Sequence, residues 1–265
     1  MQISPPTHLA PFIRHYIFLE NSEEDSKNVR LFTDGSTGLI LSGDMNWYSN
    51  SSVERMPLSF FYGALHSYRD FYSKGSFSLM AVVFQPYFFN ILLKISAKEI
   101  RNQIISAEDI LQHQLHPFQE RLFNKADPLS VISSLNIFFT EFLSAEIGPD
   151  YHFIRGVQHY ILQNRGSVSS KELEKFTGYS ERHLERKFEN YMGISPKKYS
   201  GITRLHYFLS LINKGIGDEN MTSLSYDAGY ADQSHLIRDF KMNTGLTPKQ
   251  YVKTENKMAV NFIEL

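Results

Sequence analysis

Two stretches of the chain, residues 178–199 and 229–251, carry one pattern of residues twice. Both fit Gly-Tyr-x(3 or 4)-His-Leu-x-Arg-x-Phe-x4-Gly-[Ile/Leu]-[Ser/Thr]-Pro-Lys-x-Tyr, and from the His onward they match without a gap at an offset of 52 residues. The repeated arginines are Arg186 and Arg238. A guanidinium group can donate two hydrogen bonds to the edge of a guanine, or it can pair with an acidic neighbour on a solvated helix face. The repetition favours two units that perform the same binding task.

The composition is that of an ordinary globular chain of 265 residues, long enough for two domains. Apolar residues make up 42% and charged residues 21%, and the absence of cysteine excludes disulfides and thiolate metal sites. No apolar run reaches the roughly 20 residues of a membrane span, and we expect a cytoplasmic protein without a membrane partner. Residues 150–258 hold 16 basic and 12 acidic residues, a net charge of +4, whereas the remainder holds 11 and 16, a net charge of −5. A basic half of this kind suits a polyanionic partner.

The elements that must position the repeated residues are short helices joined by tight turns. A capping box, Ser169-x-x-Glu172, predicts the start of a short helix that Gly178 ends. A second helix then runs to about Tyr191, and two short helices around a glycine turn are typical of a helix-turn-helix. Ser195-Pro196 begins a long helix that, at about 1.5 Å per residue, spans about 27–30 Å.

The second copy repeats this arrangement, with a scaffold helix at 221–228 and an outer helix at about 233–243. Its counterpart in the first copy is the outer helix at about 181–191. Successive major-groove faces of a duplex recur about every 34 Å, which is close to the length of the helix between the copies. The spacing therefore predicts two recognition helices in adjacent major-groove segments on one face of DNA.

Residues 150–254 resemble the DNA-binding domain of the AraC/XylS family of bacterial transcriptional regulators, in which a long helix joins two helix-turn-helix units. The second copy matches the family pattern closely, from Gly229-Tyr230 through Arg238 to Tyr251. It departs from the pattern at His235-Leu236, where the family commonly has an aromatic pair. The resemblance implies a DNA-binding regulator.

The same resemblance, carried over by position, implies which side chains touch DNA. Arginine suits guanine, glutamine suits adenine and glutamate can accept from cytosine, while hydroxyl and ammonium groups suit phosphate oxygens. Glu185 has an alternative role, because it can pair with an arginine on its own helix. The base-edge candidates are Arg182, Glu185, Arg186, Gln233, Ser234 and Arg238, and the phosphate candidates are Ser180, Lys187 and Lys241.

Residues 1–148 are expected to form a β-rich domain, with helices confined to 86–146. Short apolar runs alternate with turns such as Thr33-Asp34-Gly35, which is typical of a small barrel or sandwich. The predicted fold class is therefore α+β. A β-rich, barrel-like N-terminal domain with added helices precedes an all-α domain at 149–258 and a C-terminal tail at 259–265.

Residues 1–146 also resemble, more faintly, the N-terminal domain of some AraC-like regulators. The resemblance implies a domain that senses a small molecule or dimerises. A helix at 129–146 has an apolar stripe that either packs on its own domain or pairs with a second copy. Aromatic side chains either line an apolar pocket or fill the core, and the pocket candidates are Trp47, Tyr62 and Tyr68. The matching segments are Leu9-Ala10-Pro11-x4-Tyr16, Thr33-Asp34-Gly35-x3-Leu39-Ile40, Phe84-x-Pro86 and Ser96-x-x-Glu99-Ile100-Arg101.

The leading hypothesis is a sequence-specific transcriptional regulator that binds double-stranded DNA, with a small-molecule effector, a homodimer partner and RNA polymerase as further candidate partners. One alternative is a regulator that acts through a protein partner, and another is an enzyme domain fused to a DNA-binding domain. No catalytic constellation is evident, so we expect neither an enzyme nor a cofactor. His113 and His116 have ligand spacing, but Pro117 follows and no nearby acid is evident, so no metal site is expected.

Overall fold

The structure is a computed structural model of the full chain. For residues 54 and 257–259 only the backbone is described. The residues that the structure describes are 1–22, 25–44, 47–49, 54–142, 148–213, 221–254, 257–259 and 261–264.

The strands of the described part form two antiparallel sheets of six strands each. The first sheet has the order β1-β2-β9-β4-β7-β10, and the second has the order β11-β12-β3-β8-β5-β6. The β-rich N-terminal domain is thus confirmed, although among the described strands the pairing gives two sheets and no closed barrel. The strands are β1 (Gln2–Ile3), β2 (Ile13–Asn21), β3 (Lys27–Leu31), β4 (Thr37–Ser42), β5 (Trp47–Ser49), β6 (Glu54–Arg55), β7 (Ser59–Tyr62), β8 (Arg69–Ser73), β9 (Phe77–Phe84), β10 (Ile104–Ser106), β11 (Lys257–Ala259) and β12 (Phe262–Glu264).

Strand β9 is buried at every position because both faces of its sheet are covered. Successive side chains of a strand point to opposite faces, and those of β9 enter two different apolar clusters. Met80 and Val82 pack with the helices outside the sheet, whereas Leu79 and Ala81 pack between the two sheets. A continuous apolar run is therefore the pattern that this central strand requires.

Helices cover the outer face of the first sheet and then build the C-terminal part. No helix among the described residues is both long and apolar enough to cross a membrane. The helices are α1 (Phe88–Leu92), α2 (Glu108–Leu111), a 3-10 turn (Gln112–Leu115), α3 (His116–Phe123), α4 (Pro128–Phe142), α5 (Pro149–Gln163), α6 (Ser170–Thr177), α7 (Glu181–Met192), α8 (Pro196–Asn213), α9 (Met221–Asp227), α10 (Gln233–Thr244) and α11 (Pro248–Lys253).

Helix α4 buries its apolar stripe inside its own chain. Val131, Leu135 and Phe139 belong to the cluster that covers β9, and the Phe139 ring lies edge-on to Phe84 at 5.5 Å. Of the two alternatives for this helix, the structure therefore shows the packing on its own domain. The expected continuation to 146 falls partly on residues 143–147, outside the described residues.

The end of the chain returns to the N-terminal sheet. Residues 259–265 are expected to be a tail, but β12 pairs with β3, with Phe262 opposite Leu31 and Glu264 opposite Val29. Phe262 is 3% exposed and packs between the sheets. This pairing was not predictable from local sequence, because the partner strand β3 lies more than 230 residues earlier in the chain.

Replacing Phe262 with alanine tests this return. We expect Phe262→Ala to lower the free energy of unfolding by about 3–5 kcal/mol, since it removes a buried ring and leaves a cavity. Urea unfolding followed by circular dichroism measures the change. Tyr226→Ala, at a side chain that is 58% exposed, is the control and should change stability little. Equal stability of the two variants would contradict the buried position of Phe262.

Candidate nucleic-acid interface

The first helix-turn-helix consists of α6 and α7, and its turn is set by capping. Ser169 and Glu172 form the predicted capping box, with the Ser169 amide donating to Glu172 Oε2 at 2.8 Å. Gly178 then ends α6 in the left-handed region at φ 73°, a conformation that glycine adopts without a steric penalty. Ser180 precedes α7 as its N-cap residue. Helix α7 therefore starts at a fixed angle to α6.

The second helix-turn-helix consists of α9 and α10. Asp232 is the N-cap of α10, and its side chain accepts from the His235 amide at 2.7 Å. The outer helices predicted at about 181–191 and 233–243 are confirmed as α7 and α10, each with one further residue. Capping and glycine signals thus located both helices to within one residue.

The two outer helices bury matching residues and expose matching residues. Leu184 and Phe188 of α7, like Leu236 and Phe240 of α10, are at most 2% exposed. The opposite faces carry the base-edge candidates, all exposed except Gln233, which is partly exposed: Arg182, Glu185, Arg186, Gln233, Ser234 and Arg238.

The arginines of α7 are available for a ligand. Among the described residues, neither Arg182 nor Arg186 makes a side-chain hydrogen bond or an ion pair, so the pairing with Glu185 is not observed. Arg238 of α10 uses one donor locally, from Nε to the Ser234 carbonyl at 3.3 Å. Its other guanidinium donors point outward with the exposed side chain. Both helices therefore present guanidinium groups that can meet base edges.

The phosphate candidates differ from one another in their surroundings. Ser180 precedes α7 and Lys241 lies on α10, and both side chains are exposed. Lys187 is instead turned towards α5: its Nζ lies 2.5 Å from Asp150 Oδ1 and 5.0 Å from the centre of the Phe153 ring. The pairing with Lys187 also lowers the pKa of Asp150. The phosphate role of Lys187 stays a prediction, and its ion pair with Asp150 of α5 was not predictable from the sequence of α7.

The long helix α8 joins the two units and docks on the N-terminal domain. Its 18 residues span about 27 Å at about 1.5 Å per residue. His206 Nε2 lies 2.9 Å from the Thr33 carbonyl oxygen, and the Tyr199 ring covers Gly35. A Cβ at Gly35 would lie 2.8 Å from Tyr199 Cε2, and its φ of +74° also favours glycine. The Thr33-Asp34-Gly35 turn is thus the surface on which helix α8 packs.

Asp34 is buried at the centre of this junction. Its Oδ2 accepts from Arg14 Nη1 at 3.1 Å, and its Oδ1 accepts from the Ser36 amide at 2.9 Å. Burial alone would raise the pKa of Asp34, but Arg14, His206 and the Ser36 hydrogen bonds together hold that pKa below its usual value. Burial also lowers the pKa of His206, which favours the neutral imidazole. The sequence presented Asp34 only as part of a turn.

Each recognition helix is also held at its C-terminal end by the N-terminal domain. For α7, the Ala97 amide donates to the Asn190 carbonyl at 2.9 Å. For α10, Arg30 Nη1 donates to the Thr244 carbonyl at 3.2 Å, and the same guanidinium is fixed by Asp70 at 2.6 and 2.7 Å. Cations and donors suit a helix C-terminus, because its last carbonyls lack intrahelical partners. The positions of both outer helices thus depend on contacts with the N-terminal domain, through strand β3 for α10 and through the loop after α1 for α7.

The three pocket candidates lie in different places. Trp47 lines a small apolar cavity of about 20 Å³ between the sheets, together with residues such as Phe60 and Phe262. Tyr62 is 1% exposed beside Gly38 and is not part of that lining. Tyr68 lies under the Arg30 guanidinium, 4.0 Å from its carbon to the ring centre. The structure therefore does not bring the three together, because Trp47 and Tyr62 lie on strands of different sheets and Tyr68 lies just before β8.

Glu108, His113 and His116 are the described residues that could hold a metal ion. Glu108 lies 2.6 Å from His113 Nδ1 and 3.2 Å from His116 Nε2. The sequence argument that no acid lies near these histidines is therefore corrected, because the turn at Gln112, with φ 50°, folds α2 back towards them.

A substitution at Asp34 tests the junction. The pKa of Asp34 is lowered by folding, so the ionised carboxylate stabilises the fold above an unfolded pKa of about 4, and this contribution is lost as the pH falls below that value. We expect Asp34→Asn to lower the free energy of unfolding by about 1–3 kcal/mol at pH 7. We also expect the variant to lose less stability than the wild type as the pH falls below about 4, because it has no carboxylate to protonate at this position. Urea unfolding at several pH values measures both changes in the free energy of unfolding. If the variant lost as much stability in acid as the wild type, the assignment of an ionised, buried carboxylate to Asp34 would be contradicted.

Comparisons with known proteins match the N-terminal and the C-terminal parts of the chain to two different families. A family model described as a domain of unknown function (DUF6597) matches residues 1–106, and one described as a helix-turn-helix domain matches residues 173–254. An uncharacterized HTH-type transcriptional regulator of Staphylococcus aureus is 31% identical over 84 residues, 32% of this chain and 11% of that protein. One of Bacillus subtilis is 35% identical over 70 residues, 26% of this chain and 24% of that protein. The chain thus spans about a tenth of the length of the first of these relatives.

Solved structures were compared in the same way. ToxT from Vibrio cholerae O395 is similar with a TM-score of 0.49 and 11% identity, covering 89% of this chain and 96% of that one. A probable AraC family transcriptional regulator from Rhodopseudomonas palustris is similar with a TM-score of 0.35 and 25% identity, covering 38% of this chain and 94% of that one. Two capped helix-turn-helix units on one linker helix thus lie in the part of the chain, residues 173–254, that the helix-turn-helix domain model matches.

Proposed function

We propose that the chain is a sequence-specific DNA-binding regulator of transcription that inserts α7 and α10 into adjacent major-groove segments of one duplex. The observation that carries the proposal is the duplication: two helices expose arginines at the same position, and one helix of about 27 Å separates them. A duplex presents successive major-groove faces about every 34 Å. One chain can therefore read two successive major-groove segments of the same DNA without a second copy.

The two helices are proposed to read different bases. Arg186 and Arg238 are alike in both copies, whereas Glu185 corresponds to Ile237, which is exposed and can make only an apolar contact. A thymine methyl is the base group that suits such a side chain. The bound site is therefore expected to be asymmetric, with a guanine contact in each half.

Substitution of the repeated arginines tests the base contacts. We expect Arg186→Ala and Arg238→Ala each to weaken binding to the selected site by about 1–3 kcal/mol, since each removes a bidentate contact to one base. DNA selection with the purified full chain supplies the site, and fluorescence anisotropy measures the affinity. Lys125→Ala removes the same charge from an exposed position in the N-terminal half and serves as control. Wild-type affinity of both arginine variants would contradict the assignment.

The alternative of a regulator that acts only through a protein partner gives a different salt dependence. Binding to DNA releases counterions, so the affinity falls steeply as the salt concentration rises. A chain that prefers no duplex sequence at any salt concentration would favour the alternative.

Modulation by a small molecule is also part of the proposal, and the cavity between the sheets supports it. The cavity lining is apolar, and the Nε1 of Trp47 is buried without a hydrogen-bond partner among the described residues. At about 20 Å³ the cavity has room for about one water molecule, so an effector must widen it. Trp47 is the single tryptophan of the chain, and its fluorescence therefore reports occupancy of this cavity directly.

A further inference from the structure

A loop of the N-terminal domain lies against the first recognition helix. This loop, residues 93–103 between α1 and β10, is bound to the last turn of α7 through both backbone and side chain. The Ala97 amide donates to the Asn190 carbonyl at 2.9 Å, and Ser96 Oγ donates to Asn190 Oδ1 at 2.8 Å. A Cβ built on Gly193 would lie 2.8 Å from the Ala97 carbonyl oxygen. The loop is therefore attached to the C-terminal end of α7 by two hydrogen bonds and by close packing at Gly193.

The loop brings two basic side chains to α7. Lys98 Nζ lies 3.8 Å from Glu189 Oε2, and Arg101 Nη1 lies 3.9 Å from Glu189 Oε1. Both distances are longer than a good ion pair, and the Lys98 side chain is 60% exposed. Exposed pairs of this kind contribute little to stability. The ammonium group of Lys98 is therefore largely available for another anion.

Lys98 faces the same cleft as the base-edge candidates. The cleft is open, with a volume of about 620 Å³, and its walls are Lys98, Ser180 and the exposed face of α7. Arg182, Glu185 and Arg186 line it from the helix. A duplex that meets these three side chains must therefore pass Lys98 as well.

We propose that Lys98 contacts a DNA phosphate beside the bases that α7 reads, so that the N-terminal domain forms part of the DNA-binding surface. The inference rests on the proposed function. A recognition helix touches bases mainly with its N-terminal residues, and the other end of α7, where Lys98 lies, then meets the sugar-phosphate backbone at the edge of the groove. A lysine ammonium is a point charge on a flexible stem, which suits a phosphate oxygen.

The charge of Glu189 strengthens the same assignment. This carboxylate lies in the cleft wall, where it would repel a phosphate. Two cations from the other domain, Lys98 and Arg101, flank it and offset that repulsion. The competing explanation is that Lys98 only pairs with Glu189 and does not contact DNA. The experiment below separates this explanation from a phosphate contact.

The test measures the affinity of the full chain for its selected duplex and for a scrambled duplex between 50 and 200 mM salt. We expect Lys98→Gln to reduce the slope of log affinity against log salt by about 0.9, the contribution of one phosphate. The ratio of wild-type to variant affinity then changes about threefold across this range. The loss should be equal on both duplexes, because a phosphate contact carries no sequence information.

Two controls make the result specific. Lys125→Gln removes another exposed lysine from a cleft that shares no residue with that of α7, and it should retain the wild-type slope. Lys98→Gln is then compared in a Glu189→Gln background. A phosphate contact predicts the same loss of slope there, whereas a role confined to Glu189 predicts none.

The outcomes separate the inference from the function on which it rests. A wild-type chain that binds no duplex preferentially would overturn the proposed function. A wild-type chain that binds its site specifically, with a Lys98→Gln variant of unchanged slope, would overturn only the inference. Loss of the effect in the Glu189→Gln background would do the same. Thermal unfolding of each variant confirms that the fold is retained.

Discussion

The ion pair between the buried Asp34 and the partly exposed Arg14 lies at the junction on which the positions of α7 and α10 depend. Asp34 fixes its turn through Ser36, and the turn presents Thr33 and Gly35 to α8. Helix α8 in turn carries one helix-turn-helix at each end. A charged group in this position is costly unless its partners remain in place, so the turn has one favourable geometry. The orientation of the helix-turn-helix units is therefore specified by contacts with the N-terminal domain.

The same dependence appears at the far ends of the recognition helices. Arg30 donates to the last turn of α10, and Ala97 donates to the last turn of α7. Arg30 is itself oriented by Asp70 of β8, whereas Ala97 belongs to the loop after α1. A change in the packing of the sheets would therefore move the two helices through different contacts. An effector that binds one packing of the sheets more tightly than another would shift the equilibrium between the corresponding positions of α7 and α10. The size of that shift is set by the difference between its two affinities.

Local sequence patterns predicted the helix-turn-helix units well because their boundaries depend on neighbouring residues. The Ser169 capping box, the Asp232 N-cap and Gly178 each act within one turn of helix. Contacts between elements that are distant in sequence were not predictable in this way. The ion pair of Lys187 with Asp150 and the stacking of Tyr68 on Arg30 join residues that are distant in sequence or lie on different elements. Burial of Asp34 likewise follows from α8, which lies more than 160 residues further along the chain.

The pairing of β12 with β3 means that the polypeptide crosses between the two parts twice, once before α5 and once after α11. Two crossings restrict relative motion more than a single linker does, because the parts can tilt but cannot rotate freely about one bond. The pairing also covers one edge of β3, whose other edge pairs with β8. An uncovered strand edge offers free amide and carbonyl groups to other chains. Removal of β12 by proteolysis would therefore release the tether and create a site for self-association in the same step.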